Sequence, residues 1–225
     1  MAKAACSRVD RAYAKAPKPS AITSGVSAFA THAVVDRRSA VRIDRDIPPE
    51  IAALFGCAVL TGVGAVLNTA GVKPGGVMAV VGLGGVGMNA LMGAVVAGAE
   101  RIVAVDTNPE KLKLAIELGA TDIFLAGNAD VVAAIRDASD GGVDWAVETA
   151  GVGEAMELAY AITARGGTTV SAGLPSGSRL VSYPHAAMVS DERTIKGSYM
   201  GSCVPARDIP AYIALYKRGS CRCRS

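Results

Sequence analysis

Six residues, Gly82-Leu83-Gly84-Gly85-Val86-Gly87, carry the clearest chemical signal in the sequence. They stand between an apolar run, 77–81, and a stretch of small residues, 86–97, that is typical of a helix packed on a sheet. With this spacing the first glycine allows a tight turn, the second lets the backbone approach a pyrophosphate, and the third lets helix and strand pack closely. Free N–H groups at the helix start then hold the phosphates beside the positive end of the helix dipole. The turn predicts dinucleotide binding through Gly82, Gly84, Gly85, Val86 and Gly87.

An acidic residue, Asp106, follows Gly87 by 19 residues and ends the next apolar run. At this spacing a carboxylate is expected to accept hydrogen bonds from both hydroxyls of the adenosine ribose. A 2′-phosphate would meet the same negative charge, and Thr107 rather than an arginine comes next, so the sequence favours NAD over NADP. Lys111, one helical turn further, either reaches the ribose or lies exposed on its helix. The alternative for the whole motif is a structural glycine turn in an unrelated α/β fold.

Strand and helix signals alternate at short spacing along most of the chain. This pattern predicts an α/β fold, a doubly wound parallel six-stranded Rossmann sheet with strand order 3-2-1-4-5-6. The predicted strands are 77–81, 101–105, 122–125, 143–147, 168–172 and 194–200. The predicted helices are 48–56, 58–69, 86–97, 108–118, 129–138, 154–164 and 208–217. Before them, Ser27–Ile43 alternates apolar and polar groups, which predicts a β-hairpin or two short strands.

The composition excludes several classes of partner. A net charge of +3 is too small to indicate nucleic acid or an acidic membrane surface. Two uncharged stretches, 51–72 and 74–99, are long enough for membrane spans, but glycines interrupt both, and lipid would leave Asn68 and Asn89 unsatisfied. We therefore expect no span. The five cysteines are odd in number and scattered, which favours a reducing cytoplasm over a disulfide framework.

Three stretches give residues 24–218 a specific resemblance to a known family. The most distinctive is Leu54-Phe55-Gly56-Cys57-Ala58-Val59-Leu60-Thr61-Gly62-Val63-Gly64-Ala65. The others are Val80-Val81-Gly82-Leu83-Gly84-Gly85-Val86-Gly87 and Leu118-Gly119-Ala120-Thr121-Asp122. The chain resembles the medium-chain zinc-dependent alcohol dehydrogenases, and most closely the branch of aryl-alcohol and glutathione-dependent formaldehyde dehydrogenases. The resemblance implies an NAD-dependent oxidoreductase that acts on an alcohol or aldehyde, with zinc as a second cofactor.

The resemblance also implies particular roles at the active site. It makes Cys57 a catalytic residue and a zinc ligand, and it makes Thr61 a catalytic residue against the nicotinamide end of the cofactor. Without the resemblance, Cys57 lies in an apolar corner between two helices and is interpreted as a small buried hydrophobe. The further residues implied for the cofactor are Thr149 and Ala150 beside the adenosine, and Ala172, Gly173 and Leu174 beside the carboxamide.

Some features of the family are missing from this sequence. Family members begin with a large catalytic domain that supplies the other zinc ligands, a proton-relay hydroxyl and a four-cysteine structural zinc loop. Neither His32 nor His185 has ligand spacing to Cys57, and the pair Cys221-Arg222-Cys223 stands in a basic tail. We therefore expect an incomplete zinc site, in a chain shortened at both ends.

Four segments describe the expected organisation. Residues 1–20 are a basic, disordered leader, with a mitochondrial transit peptide as the alternative. Residues 21–70 are a remnant of the catalytic domain with its linking helices. Residues 71–218 form the dinucleotide-binding domain, and 219–225 form a tail.

Three functions fit these features. The first is an NAD-dependent alcohol dehydrogenase, with turnover by this chain alone in question. The second is an NAD-binding module without turnover, and the third is a zinc-free enzyme similar to the quinone oxidoreductases. The open edge at strand six, 194–200, predicts a homodimer, while apolar surface around 51–70 makes aggregation the alternative.

Overall fold

The computed structural model describes His32 and residues 34–219. The chain divides into two compact units, 1–42 and 43–225. In the first unit the described residues form a short 3₁₀ turn, Arg37–Ser39, which Asp36 caps by accepting the Arg38 N–H at 2.8 Å. The leader predicted at 1–20 lies outside the described residues, as does all of the predicted tail except Gly219.

The hairpin predicted over Ser27–Ile43 is wrong for the part that the structure describes. Residues 34–43 contain no strand. Val34, an apolar residue within the predicted hairpin, is 89% exposed. The Asp36 cap and the Asp36–Arg38 ion pair satisfy polar groups locally, and such local bonds compete with strand pairing. The rest of the predicted hairpin, except His32, lies outside the described residues.

The second unit carries the expected fold. Its strands are β1 Val77–Val81, β2 Arg101–Asp106, β3 Asp122–Leu125, β4 Val143–Glu148, β5 Thr163–Ser171 and β6 Thr194–Gly197. Its α-helices are α1 Pro49–Phe55, α2 Ala58–Gly64, α3 Gly85–Ala97, α4 Pro109–Glu117, α5 Val131–Ala138, α6 Gly153–Ile162, α7 His185–Ser190 and α8 Pro205–Lys217. All neighbouring strands pair in parallel, in the order β3-β2-β1-β4-β5-β6. The prediction of a doubly wound Rossmann sheet is confirmed.

The centre of the sheet is buried on both faces, as expected for the uncharged strand β1. Successive residues of β1 point to opposite faces, so Met78 and Val80 enter one core while Ala79 and Val81 enter the other. The first core contains side chains from α3 and α4, and the second contains side chains from α5 and α6. Together they fix the carboxyl ends of β1, β4 and β5 as one rigid edge.

Local signals explain where α4 begins and ends. The Asn108 side chain accepts the Glu110 N–H at 2.9 Å, and Pro109 occupies the first helical position. Gly119, with φ of 112°, lies just beyond the helix and allows the chain to turn toward β3. These features account for the predicted helix over 108–118, because each depends on a residue and its immediate neighbours.

Other boundaries differ from the predictions. Strand β5 begins at Thr163 rather than at 168, which shortens α6 to end at Ile162. Strand β6 ends at Gly197, three residues before the predicted end. Helix α8 begins at Pro205 rather than at 208, since proline suits a first turn and the Asp208 carboxylate accepts the Val204 N–H at 2.7 Å.

The helix predicted over 58–69 changes its winding. Helix α2 passes at Gly64 into a π-helical segment, Ala65–Ala70, which ends at Gly71 with φ of 68°. Among the described residues no single helix is long and apolar enough to cross a membrane. By length and composition only, Pro49–Phe55 and Ala58–Ala70 pass that test together across a bend of 43°.

Helices α2 and α3 cross at Gly62, which allows their backbones to approach closely. A methyl group on Gly62 would lie 2.7 Å from the Ala90 nitrogen and 2.8 Å from the Asn89 Cβ, and closer still to the Val86 carbonyl oxygen. Backbone atoms cannot yield at low cost. We therefore expect Gly62→Ala to destabilise the fold by about 1–3 kcal/mol or more, measured by thermal denaturation.

Gly56→Ala is the matched control for this substitution. Its methyl group would meet nothing nearer than the Ala53 carbonyl oxygen at 3.8 Å, and its φ of −73° suits alanine. We expect no loss of stability there. Equal melting temperatures for the two variants would contradict the close crossing at Gly62.

Candidate functional site

The glycine turn lies between the end of β1 and the start of α3. Gly82 has φ of 92°, and a methyl group there would lie 2.8 Å from the Ala150 Cβ. A methyl group on Gly87 would clash with the Gly82 carbonyl. At Gly84, by contrast, a methyl group would meet nothing within 4 Å. Gly82 and Gly87 are therefore required by packing, whereas Gly84 leaves open space directly before the helix.

Thr149 joins this turn to the end of β4. Its Oγ1 donates to the Gly82 carbonyl at 2.6 Å, and its own N–H donates to the Val81 carbonyl at 2.9 Å. The N–H of Gly82 donates in turn to the Val105 carbonyl at 2.8 Å. The turn is thus held from both neighbouring strands, which keeps its N–H groups in one fixed arrangement.

Asp106 ends β2 beside the glycine turn and is only 7% exposed. Its Oδ2 accepts the Leu83 N–H at 2.6 Å, and its Oδ1 accepts the Asn108 N–H at 2.8 Å. A carboxylate offers about four acceptor positions, so each oxygen keeps capacity for a ligand hydroxyl. The Lys111 ammonium lies 3.7 Å from Oδ2, with its side chain 43% exposed. The structure therefore places Lys111 beside the carboxylate.

A cavity of about 550 Å³ lies at the carboxyl ends of β4, β5 and β6. It is lined by Cys57, Thr61, Val86, Thr149, Ser171, Ala172, Gly173, Leu174, Gly197, Ser198, Tyr199 and Met200. Seven of the residues predicted for the site are among them. The other predicted residues do not line it. The four glycines follow β1, and Asp106 ends β2 with Lys111 beside it. Ala150 packs against Gly82. The predicted residues thus form two neighbouring groups at one edge of the sheet.

One wall of the cavity is tied to β4 through the backbone of Glu148. The Glu148 carbonyl accepts the N–H groups of Ala172 at 2.8 Å and Gly173 at 3.0 Å. The buried Glu148 carboxylate accepts the Gly151 N–H at 2.6 Å and the Ser171 hydroxyl at 3.2 Å. These bonds hold the two loops that follow β4 and β5 against each other.

Cys57 stands at the corner between α1 and α2. Its carbonyl accepts the Thr61 N–H at 2.8 Å, while its thiol is free and the residue is exposed at the cavity. The interpretation of Cys57 as a buried hydrophobe is therefore wrong, because the helix break at the corner turns the residue outward. Thr61 is buried, at 7% exposure, and its Oγ1 lies 3.9 Å from the Met200 sulfur.

The described part of the chain contains no group of three or more His, Cys, Asp or Glu side chains able to hold a metal ion. His32 and His185 are both exposed, and His185 begins α7. Cys57 is therefore not part of a three-ligand group within the described residues.

Sequence reasoning missed one side of the cavity, formed by Ser198, Tyr199 and Met200. The predicted strand over 194–200 concealed it, since a continuous strand would carry these residues along the sheet edge. Instead the chain leaves the sheet after Gly197 and turns at Met200, with Gly201 at φ of 66°. The glycine at 201 was the available signal for this turn.

Comparison with known proteins agrees with the family resemblance of the sequence. Residues 85–218 match the family of zinc-binding dehydrogenases. The chain is 36% identical to a geraniol dehydrogenase from Castellaniella defragrans over 196 residues, and 37% identical to a class-3 alcohol dehydrogenase from Myxine glutinosa over 198 residues. Each alignment covers 87% of this chain and 52% of the relative. The chain thus spans about half the length of these relatives.

A solved structure agrees with these matches. Benzyl alcohol dehydrogenase from Acinetobacter calcoaceticus superimposes with a TM-score of 0.84 at 34% identity. The superposition covers 87% of this chain and 54% of that one.

Proposed function

The chain belongs to the zinc-binding dehydrogenase family, and from that premise we propose that it binds NAD and acts as the cofactor-binding part of an alcohol dehydrogenase. The observation that carries the proposal is the open position at Gly84, in front of the α3 N-terminus and beside the Asp106 carboxylate. A pyrophosphate needs that space, and the adjacent ribose needs that acceptor.

Each group of residues then has a task. The N–H groups at the start of α3 bind the pyrophosphate oxygens, and Asp106 orients the ribose through its remaining lone pairs. Thr149 and Ala150 border the adenosine, as the family resemblance implies. Thr61 and the backbone of Ala172, Gly173 and Leu174 receive the nicotinamide end in the cavity. The bound cofactor supplies a carbon that exchanges hydride with an alcohol or aldehyde.

The residues described at the site do not fit a zinc ion. A catalytic zinc takes three protein ligands and keeps an open position. Of the described residues at the cavity, Cys57 is the one that offers a zinc-type ligand, and no cluster of three surrounds it. No step of the proposal therefore passes through a metal.

Because the described residues form no three-ligand group at Cys57, a second candidate is also favoured, an NAD-binding module without turnover. The zinc-free reductase similar to quinone oxidoreductases also stays a prediction. Formation of NADH from NAD and a primary alcohol, followed by absorbance, separates these functions. Turnover that survives a chelator supports the zinc-free reductase, and NAD binding without turnover supports the module. Turnover that needs zinc would contradict the incomplete zinc site.

We expect removal of metal to leave NAD affinity unchanged. The glycine turn and Asp106 make every proposed contact with the pyrophosphate and ribose without a metal ligand. The same reasoning predicts that Cys57→Ser, which keeps the shape of the side chain, binds NAD like the wild type. Isothermal titration before and after dialysis against a chelator measures both. A loss of NAD affinity on chelation would show that a metal organises this site.

The edge strand supports a homodimer as a further proposal. In β6 the residues Lys196 and Gly197 are exposed, and β6 pairs only with β5 in the sheet that the structure describes. An open strand edge is usually covered or paired. Light scattering in line with a sizing column distinguishes a dimer from the aggregation considered for 51–70. The domain division at 70/71 and a cytoplasmic location also remain proposals.

A further inference from the structure

Three consecutive residues, Met200–Ser202, have left-handed backbone conformations, and we call them the left-handed turn. The first of them, Met200, lines the cavity. Their φ angles are 51° for Met200, 66° for Gly201 and 50° for Ser202. Only Gly201 adopts the left-handed region freely, because a Cβ atom makes that conformation unfavourable for other residues. Met200 and Ser202, on either side of that glycine, are therefore strained, and such residues persist only where the surrounding structure holds them. Packing or hydrogen bonds from neighbouring elements must therefore hold this turn in place.

Part of that support is close packing against α2. A methyl group on Gly201 would lie 2.8 Å from the Gly64 Cα and 3.0 Å from the Thr61 carbonyl oxygen, and it would clash with the Leu60 carbonyl. The turn therefore rests directly on the helix backbone. Packing fixes its distance from α2, while hydrogen bonds are needed to fix its orientation.

Those hydrogen bonds come from two neighbouring side chains, Asn68 and Thr69, which we call the Asn68–Thr69 anchor. Thr69 Oγ1 lies 2.8 Å from the Ser198 hydroxyl and 2.9 Å from the Ser202 hydroxyl. One hydroxyl can donate to one partner and accept from the other, so both bonds form together. Asn68 Nδ2 donates to the Gly201 carbonyl at 3.2 Å. The anchor thus binds residues inside the turn and just before it.

The π-helical segment Ala65–Ala70 brings both side chains to the turn. Gly71 closes it by donating its N–H to the Val66 carbonyl five residues earlier, at 3.0 Å. A wider helical turn reduces the angle between successive side chains, so Asn68 and Thr69 both reach the same partner. Single π turns inside helices occur frequently at functional sites. Here the π-helical winding brings the Asn68 and Thr69 side chains to the left-handed turn.

We propose that Thr69 and Asn68 are positioning residues for the nicotinamide end of the cofactor, acting through the left-handed turn. Neither residue lines the cavity, but Ser198, Tyr199 and Met200 do, and the anchor holds the segment that contains them. The inference rests on the proposed function, since it assumes that NAD occupies the cavity. It assigns a role to two residues that make no contact with the cofactor.

The test compares NAD with ADP-ribose, which lacks the nicotinamide, in titrations of the full chain. Thr69→Val keeps the shape of the side chain and removes both hydroxyl bonds. Given the usual strength of two such bonds, we expect NAD affinity to fall about tenfold while ADP-ribose affinity stays at the wild-type value. Thr69→Ser restores a hydroxyl and should recover most of the NAD affinity. Thr194→Val makes the same change at an exposed site at the far end of β6 and should alter neither affinity.

A merely structural role for Thr69 would lower both affinities or only the melting temperature. Either of those results, or an NAD affinity of Thr69→Val equal to that of the wild type, would overturn the inference. Asn68→Ala supplies a second test, with the same selective loss expected. Failure of the wild type to bind ADP-ribose would instead overturn the proposed function, and the inference with it. Wild-type binding of ADP-ribose and NAD with equal affinity would overturn the inference alone.

Discussion

Gly84→Asp is expected to abolish NAD binding without weakening the fold. At Gly84 an added Cβ would meet no protein atom within 4 Å, and the φ of −76° is ordinary for any residue. The position is the N-cap of α3, where aspartate is among the preferred residues, so the melting temperature should stay the same or rise. The new carboxylate would accept hydrogen bonds from the N–H groups that we assign to the pyrophosphate. It would also repel the negative charge of the pyrophosphate.

The loss of affinity should be large. Hydrogen bonds to charged groups contribute about 1.5–3 kcal/mol each, so loss of two of them predicts about a hundredfold or greater weakening. Gly177→Asp is the control, because Gly177 also has open space around its Cα but lies in the loop between β5 and α7. Titration calorimetry and thermal denaturation of both variants give the comparison. Near wild-type NAD affinity in folded Gly84→Asp would mean that the pyrophosphate does not bind at this turn.

Asp106→Asn is expected to reverse much of the preference for NAD over NADP. The buried carboxylate has acceptor capacity left for the ribose hydroxyls, and its charge opposes a 2′-phosphate. Asparagine retains one oxygen for the Leu83 N–H and removes the charge. We expect NAD affinity to fall about tenfold to a hundredfold, and NADP affinity to rise because the repulsion is gone.

The measured quantity is the ratio of the NAD and NADP dissociation constants. Asp130→Asn serves as the control, since Asp130 is exposed, precedes α5 and makes no capping bond, yet carries the same charge. That variant changes the net charge equally and should leave the ratio unchanged. If Asp106→Asn also leaves the ratio unchanged, the carboxylate does not face the ribose.

Features that depend on a few neighbouring residues could be predicted from the sequence. Strands β1 and β3 have the bounds predicted from the sequence, and the Asn108-Pro109 start of α4 follows from capping chemistry. The glycine turn belongs to the same class, since its spacing alone specifies a strand, a tight turn and a helix. The parallel strand order then follows from the alternation of strands and helices.

Features that depend on distant contacts could not be predicted. The early start of β5 at Thr163 requires pairing with Val143 of β4, which no local pattern reveals. The departure of the chain from the sheet after Gly197 is fixed by contacts with α2 and with the Asn68–Thr69 anchor, more than 120 residues earlier in the chain. The exposure of Cys57 likewise depends on the break between α1 and α2. The glycine turn could therefore be predicted from the sequence, whereas the side of the cavity formed by Ser198, Tyr199 and Met200 could not.

The central claim is that this chain binds NAD through the open turn in front of α3. Isothermal titration of the purified full chain with NAD, and separately with NADP, tests it most directly. We predict one NAD bound per chain, with weaker binding of NADP. A chain with a folded circular dichroism spectrum that binds no NAD, or that binds NADP more tightly, would contradict the account.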